Sequence, residues 1–370
     1  ALARLVAALP DAAHPADYAV PDPGQQRGQA LLHSERRFAA WIIGRAAEHL
    51  NGYAASERAA AVDVLVAGLE QGDPVRRRRC ATLLGKIDDP LAASALERRV
   101  PLEQDPRVIA ALVAGRAARP DARLPALLRS WTDLSDAHAV AVVAACRGRG
   151  ERWVAWVLRG VARTCRGRVL DDVLDAWPAS AGTPPVGEGA VSFYGIPTHS
   201  RRILFCIDLS LSMGFPMDGR GATGEARIDR TRRELFRTLG DLPDGVEFGV
   251  LGFAGGPIPW TPDLVAAAGD RRDGAIRFLE RVGLQSTGTN VHAALDWALK
   301  SRADTVYLLS DGVANIGVVV DPPLIWEEIA HRNAHRGVRI HAIGLSRDQD
   351  AELLVNLAAR NGGAYVAVRE

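Results

Sequence analysis

Five short apolar runs constrain this chain more than any other feature: ILFCI at 203–207, VEFGVLGFA at 246–254, TVYLLS at 305–310, VRIHAIGL at 338–345 and AYVAV at 364–368. Most of their length is continuously apolar, with Glu247, Arg339 and His341 as interruptions, so each strand is expected to bury both of its faces. Between them the apolar period switches to the helical one, over about Ile228–Leu239, Gly274–Val282, Val291–Leu299, Leu324–His335 and Asp350–Arg360. Buried strands alternating with amphipathic helices predict an α/β fold with an open, doubly wound, mostly parallel, Rossmann-like sheet.

The preceding half has another texture. Phe38, Trp41 and Ile42, then Val62, Leu65, Val66 and Leu69, then Val108, Ile109, Leu112 and Val113, then Leu124, Leu127, Leu128 and Trp131 all fall on helical stripes. The pattern also repeats. Asp73-Pro74 returns 32 residues later as Asp105-Pro106, Asp89 returns as Asp121 at the same interval, and Asp136 opens a third copy. Asp as N-cap followed by Pro in the first turn marks a helix start, so the repeat predicts a solenoid of helix pairs. Pro184-Pro185 within PASAGTPPVGE ends it. The expected organisation is an extended N-terminal arm over 1–33, an all-α solenoid over 34–177, a linker over 178–197 and the α/β domain over 198–370.

Lys+Arg 45 against Asp+Glu 44 leaves a net charge of +1, so no global field attracts nucleic acid or an anionic membrane. The run Arg76–Arg79 lacks interleaved aromatics and reads as a solvated helix face pairing with neighbouring acids; Trp153 and Trp156 read as core. Cys80, Cys146, Cys165 and Cys206 lack C-x-x-C spacing and are expected as buried free thiols. No apolar run reaches the roughly 18–20 residues that span a bilayer. The chain starts at Ala1 without Met, which suits a processed export signal and equally a sequence that is truncated or starts late; the sequence does not choose between these, and export to the periplasm or cell surface is the preferred expectation.

The chemistry concentrates at strand ends. Ile203–Ile207 runs into Asp208-Leu209-Ser210-Leu211-Ser212, the strand at 306–309 runs into Ser310-Asp311-Gly312, and Gln285–Asn290 brings Thr289 from a third direction. Ligands of open α/β sheets bind outside the carboxyl ends of strands. Asp208, Ser210, Ser212, Thr289 and Asp311 offer only hard oxygen donors, the set suited to Mg²⁺, with Mn²⁺ or Ca²⁺ as alternatives. A largely neutral hydroxyl shell leaves the cation able to accept an external carboxylate.

At these residues the sequence resembles a von Willebrand factor A domain over about 198–370, carried by RRILFCIDLSLSM, TGTNVHAAL, SDG and LLVNLAARNGGAYVAV. The resemblance implies that the same five residues form a metal-ion-dependent adhesion site (MIDAS), completed by an Asp or Glu of a protein partner. Leu211 departs from the Gly of many members. DPVRRRRCATLLGKIDDPLAASAL similarly resembles short bacterial HEAT-like repeats of the phycobilisome-lyase type.

Enzymatic alternatives lack their anchors. Ser210 stands where a haloacid-dehalogenase pattern needs its second Asp, and there is no G-x-S-x-G, no G-x-x-x-x-G-K-[ST] and no G-x-G-x-x-G following a strand. His331 and His335 have zinc-compatible spacing without the intervening Glu and read as a surface pair; His292 reads as packing. The glycine-rich loop 214–229 reads as a rim beside the site or a surface insertion, with Asp218 and Glu225 outside the metal shell. The sequence thus predicts a non-enzymatic protein acting in adhesion or assembly, within a larger multisubunit complex. Two alternatives are a scaffold subunit with a vestigial metal site and an accessory subunit of an AAA+ ATPase.

Overall fold

The computed structural model describes residues 45–165, 167–184, 191–217, 223–285, 288–311, 313–334, 336–347 and 349–369. The expected arm over 1–33 and the stripe at Phe38, Trp41 and Ile42 lie outside them. The chain divides into two compact units, one helical and one α/β.

The helical unit contains α1 (Ala55–Gln71), α2 (Pro74–Lys86), α3 (Pro90–Arg99), α4 (Pro106–Ala117), α5 (Leu124–Trp131), α6 (Asp136–Cys146), α7 (Arg152–Thr164) and α8 (Arg168–Ala176). The Asp-Pro signals start helices as their chemistry requires. Asp73, Asp89 and Asp105 each accept a backbone N–H of the first turn, with Pro at the helix start. Asp121 accepts the N–H groups of Arg123 and Leu124 in the same manner. The third copy shifts by one residue, because Ser135 caps α6 and Asp136 is its first helical residue. Every second helix packs on the next: α2 on α4, α4 on α6, α6 on α8. Gly85 and Gly115 set the α2–α4 distance, since a Cβ on Gly85 would lie 2.5 Å from the Gly115 Cα. In the arginine run, Arg77 pairs with Glu103 at 2.8 Å. Trp153 packs at the edge of the core, but Trp156 is 51% exposed and is not a core residue. It falls on the outer side of α7, between the buried pair Val154 and Ala155 and the pair Val157 and Leu158.

The α/β unit opens with a hairpin, β1 (Val191–Phe193) and β2 (Ile196–Thr198), followed by β3 (Arg202–Asp208), α9 (Arg227–Gly240), β4 (Glu247–Phe253), β5 (Pro257–Pro259), β6 (Val265–Ala266) and α10 (Gly269–Val282). Then come α11 (Val291–Lys300), β7 (Thr305–Ser310), α12 (Pro322–Asn333), β8 (Arg339–Leu345), α13 (Ala351–Arg360) and β9 (Tyr365–Val368). The sheet order is β5-β4-β3-β7-β8-β9, parallel from β4 to β9, with β5 and β6 added antiparallel on β4. Along β3, Ile203, Phe205 and Ile207 enter one core with α9 and α10, while Leu204 and Cys206 enter the other with α11, α12 and α13. Each fully buried side chain of this size contributes about 1.5–3 kcal/mol.

Residues 191–197, expected in a linker, instead belong to the hairpin and pack into this unit. Tyr194 (φ 48°) and Gly195 (φ 77°) make the two-residue turn that favours a hairpin. Phe193 lies edge-on to Phe205 and Tyr307, and the Tyr307 hydroxyl donates to the Ile196 carbonyl at 3.0 Å. All four cysteines are buried, and none of them forms a disulfide. Among the described residues no helix is long and apolar enough to cross a membrane.

Candidate metal centre at the β3–β7 crevice

The chain leaves β3 towards β4 on one side and returns across it to β7 on the other, so the crevice between the carboxyl ends of β3 and β7 is the topological switch point of the sheet. Asp208 ends β3 and Asp311 directly follows β7. Both are buried, Asp208 completely and Asp311 at 1% exposure.

Asp208 is held by neutral donors. Its Oδ1 accepts the Ser210 N–H at 2.8 Å and its Oδ2 accepts the Ser310 hydroxyl at 2.6 Å. Burial and then the neighbouring Asp311 charge push its carboxyl up to about 6, against the pull of hydrogen bonds from Ser310 and Ser210. The Ser212 hydroxyl donates to Asp311 Oδ1 at 2.9 Å and stands 3.0 Å from the Ser210 hydroxyl. A hydroxyl that donates its proton to a carboxylate keeps its lone pairs for a cation.

The Thr289 loop is stitched to all three neighbouring strand ends. The Gln285 N–H donates to the Leu209 carbonyl at 2.7 Å, the Asn290 N–H to the Ala254 carbonyl at 2.7 Å, and the Asn315 N–H to the Thr289 carbonyl at 3.1 Å. Asn315 also accepts the Thr289 N–H at 2.8 Å, and Asn290 caps α11 through the Ala293 N–H. Thr289 is buried, and no hydrogen bond of its hydroxyl is found among the described residues.

The structure therefore brings Asp208, Ser210, Ser212 and Asp311 into one hydrogen-bonded cluster and anchors Thr289 through its backbone at the same sheet edge. Three further residues join the site. Ser310 supports Asp208, Asn315 supports Thr289, and Arg227, buried at the start of α9, donates to Asp311 Oδ2. The hydroxyl before Asp311 was a visible signal for Ser310. Arg227 had none, because its position depends on closure of the preceding loop.

That loop folds back on itself, with Pro216 bridged to Ala226 and the Arg227 N–H donating to the Phe215 carbonyl. Glu225 pairs with Arg233 rather than entering the cluster, and Asp218 lies outside the described residues. His292 is buried in α11 and burial pushes its imidazole down to about 4; its Nε2 has no hydrogen-bond partner among the described residues. His335 lies outside the described residues.

The donor set fits a hard divalent cation: two buried carboxylates, one of them held only by neutral donors, with hydroxyl oxygens around them. Among the described residues no group of three or more His, Cys, Asp or Glu is placed to hold a metal ion. Beside the donor set Leu211 and Val313 are exposed, at 54% and 52%.

Residues 231–367 match the family model described as von Willebrand factor type A domain, a stretch that includes Thr289 and Asp311 and begins after Ser212. The mouse protein "Inter alpha-trypsin inhibitor, heavy chain 4" is 25% identical over 182 residues, covering 45% of this chain and 18% of that protein. The rat inter-alpha-trypsin inhibitor heavy chain H3 is 28% identical over 183 residues, covering 46% and 19% respectively. The chain thus spans about a fifth of the length of these curated relatives. Among solved structures, a von Willebrand factor type A protein from Catenulispora acidiphila has 19% identity and a TM-score of 0.39, covering 47% of this chain and 40% of that one. BatB from Bacteroides thetaiotaomicron has 16% identity and a TM-score of 0.36, covering 46% and 90%.

Proposed function

We propose, from the premise that residues 231–367 carry a von Willebrand factor type A domain, that this chain is a non-enzymatic interaction protein whose β3–β7 crevice holds Mg²⁺ and, through it, a carboxylate of a protein partner. The observation that carries the proposal is Asp208, a completely buried carboxylate whose hydrogen-bond donors are neutral and whose charged neighbour is a second carboxylate. Such a group calls for a cation. Asp208, Ser210, Ser212, Thr289 and Asp311 are the MIDAS in this reading, and the metal supplies a Lewis-acidic site for the partner's Asp or Glu. Leu211 and Val313 give that partner an apolar contact beside its acid. The role is adhesion or assembly, with the helical unit as a second protein-binding surface in a larger complex.

The test is thermal unfolding of wild type and Asp208→Ala in EDTA and in millimolar Mg²⁺ or Mn²⁺, with and without acetate as a carboxylate. A cation bound only by the native state raises the apparent midpoint. The proposal expects a rise in wild type that is lost in the variant. No rise in wild type under any of these conditions refutes it.

A further inference from the structure

Helix α7 buries Val154, Val157, Leu158 and Val161 and turns Arg152, Trp156 and Arg159 outwards, at the i, i+4, i+7 spacing of one stripe. Stability of the helical unit explains none of the three. Arg152 is the first residue of α7, where the helix dipole disfavours a cation. Among the described residues it has no carboxylate partner, and the adjacent Glu151 pairs with Arg149 at 3.3 Å. Arg159 lies over the Trp177 ring, 5.5 Å from its centre, and that ring is fixed in turn by a hydrogen bond from Nε1 to the Gly182 carbonyl at 2.8 Å. A guanidinium packed on an aromatic face is held in place while its charge and N–H donors stay available. Arginines on the preceding helices are matched instead with acids: Arg77 and Arg99 share Glu103, and Arg116 takes Glu97 and Asp121. Between the two unmatched arginines Trp156 leaves half of its surface in water.

We infer that the stripe of Arg152, Trp156 and Arg159 is a docking surface for an acidic segment of a protein partner. Two carboxylates of that segment seat on the arginines, and an apolar side chain between them covers the indole. Trp and Arg are the residue types that most often dominate interface energetics, and an arginine already ordered by Trp177 loses little freedom on binding. Seven helical residues separate the arginines by roughly 10 Å. A partner helix with the same spacing, run antiparallel, reads Glu-x-x-Leu-x-x-x-Glu.

Other occupants fit less well. A helix lying on a membrane needs a whole apolar face, and that of α7 is already buried in the unit's core. Single-stranded nucleic acid needs successive open aromatic faces, whereas Trp177 is covered by Arg159. The inference gives the helical unit's contact in the proposed complex a place and a partner chemistry, and it requires no metal.

The test is fluorescence anisotropy of a fluorescein-labelled helical peptide containing Glu-x-x-Leu-x-x-x-Glu, titrated with the full chain in EDTA. Wild type should bind it, less tightly as salt is added. Trp156→Ala and Arg152→Glu should each weaken binding about tenfold or more, as should glutamine in place of both glutamates of the peptide. Arg152→Glu puts an acid at a helix N-terminus, which favours folding, so a lost signal in that variant reports on the surface. No binding by wild type, or binding that neither substitution changes, overturns the inference. Phosphatidylserine vesicles or oligothymidylate bound in preference to the peptide, through the same residues, overturn the acidic segment as occupant. With the cation removed by EDTA, none of these outcomes bears on the metal-dependent reading, which stands or falls on the thermal unfolding test.

Discussion

Ser310, the last residue of β7, donates a 2.6 Å hydrogen bond across the crevice to Oδ2 of Asp208, the last residue of β3. The parallel register of Ile207 on Leu309 brings the two ends level. Ser310→Ala leaves one buried carboxylate oxygen without its donor, a loss of about 1–3 kcal/mol. A lower unfolding midpoint in EDTA, partly restored by Mg²⁺ with acetate, is the expected result in a thermal shift experiment. A midpoint equal to wild type in EDTA would show that the Ser310 bond stabilises nothing.

The α2–α4 contact makes a sharper steric prediction. Gly85→Ala puts a methyl 2.5 Å from the Gly115 Cα, which is backbone and cannot rotate away. Overpacking of this kind costs about 1–3 kcal/mol. Gly240→Ala meets nothing within 4 Å and should be close to neutral. Urea denaturation followed by helical circular dichroism should separate the two, and equal midpoints would contradict the close packing of α2 on α4.

Much of this architecture is legible in the sequence, and the remainder is not, for physical reasons. The continuous apolar run at 203–207 dictates a strand buried on both faces, and the structure divides it between two cores as that pattern requires. Asp208, Ser210, Ser212 and Asp311 are legible because strand ends in this fold share one edge. Arg227 is not, since its approach to Asp311 depends on pairing between Pro216 and Ala226, which no local period encodes. The hairpin at 191–198 is hidden for a similar reason: its strands are three residues each, too short for a pattern, and its burial comes from Phe205 and Tyr307 far along the chain. Helix α10 starts five residues before the expected Gly274 because Gly269–Asp273 is polar and carries no apolar stripe.

Acid should weaken the helical unit through Glu103. Burial pushes this carboxyl up, but hydrogen bonds from Arg77, the Asp105 N–H, Arg99 and the Gln104 N–H outweigh it and hold the group at about 2. A folded-state value below the unfolded one gives stability that is full above about pH 4.5 and is lost as pH falls towards 2. Glu103→Gln removes this contribution, on the order of 1–3 kcal/mol at neutral pH. The difference between wild type and variant should therefore shrink through that window; a gap that stays constant down to pH 2 would rule the ion pair out as its source.

The Thr289 anchor can be tested without touching a residue of the proposed metal site. Gly288 has φ +87°, and a Cβ there would lie 2.6 Å from the Asn315 oxygen that accepts the Thr289 N–H. Gly288→Ala therefore combines backbone strain with displacement of Asn315, which frees the Thr289 backbone. Gly283 provides the control, because it has φ +63° and a Cβ there would meet nothing within 4 Å, so Gly283→Ala brings the strain alone. Both variants should unfold at a lower temperature than wild type in EDTA. Only Gly288→Ala should also lose the further rise produced by Mg²⁺ with acetate, matching Thr289→Ala in that respect. If the two glycine variants respond alike to the cation, Asn315 does not position Thr289 for metal, and the threonine serves the loop rather than the site.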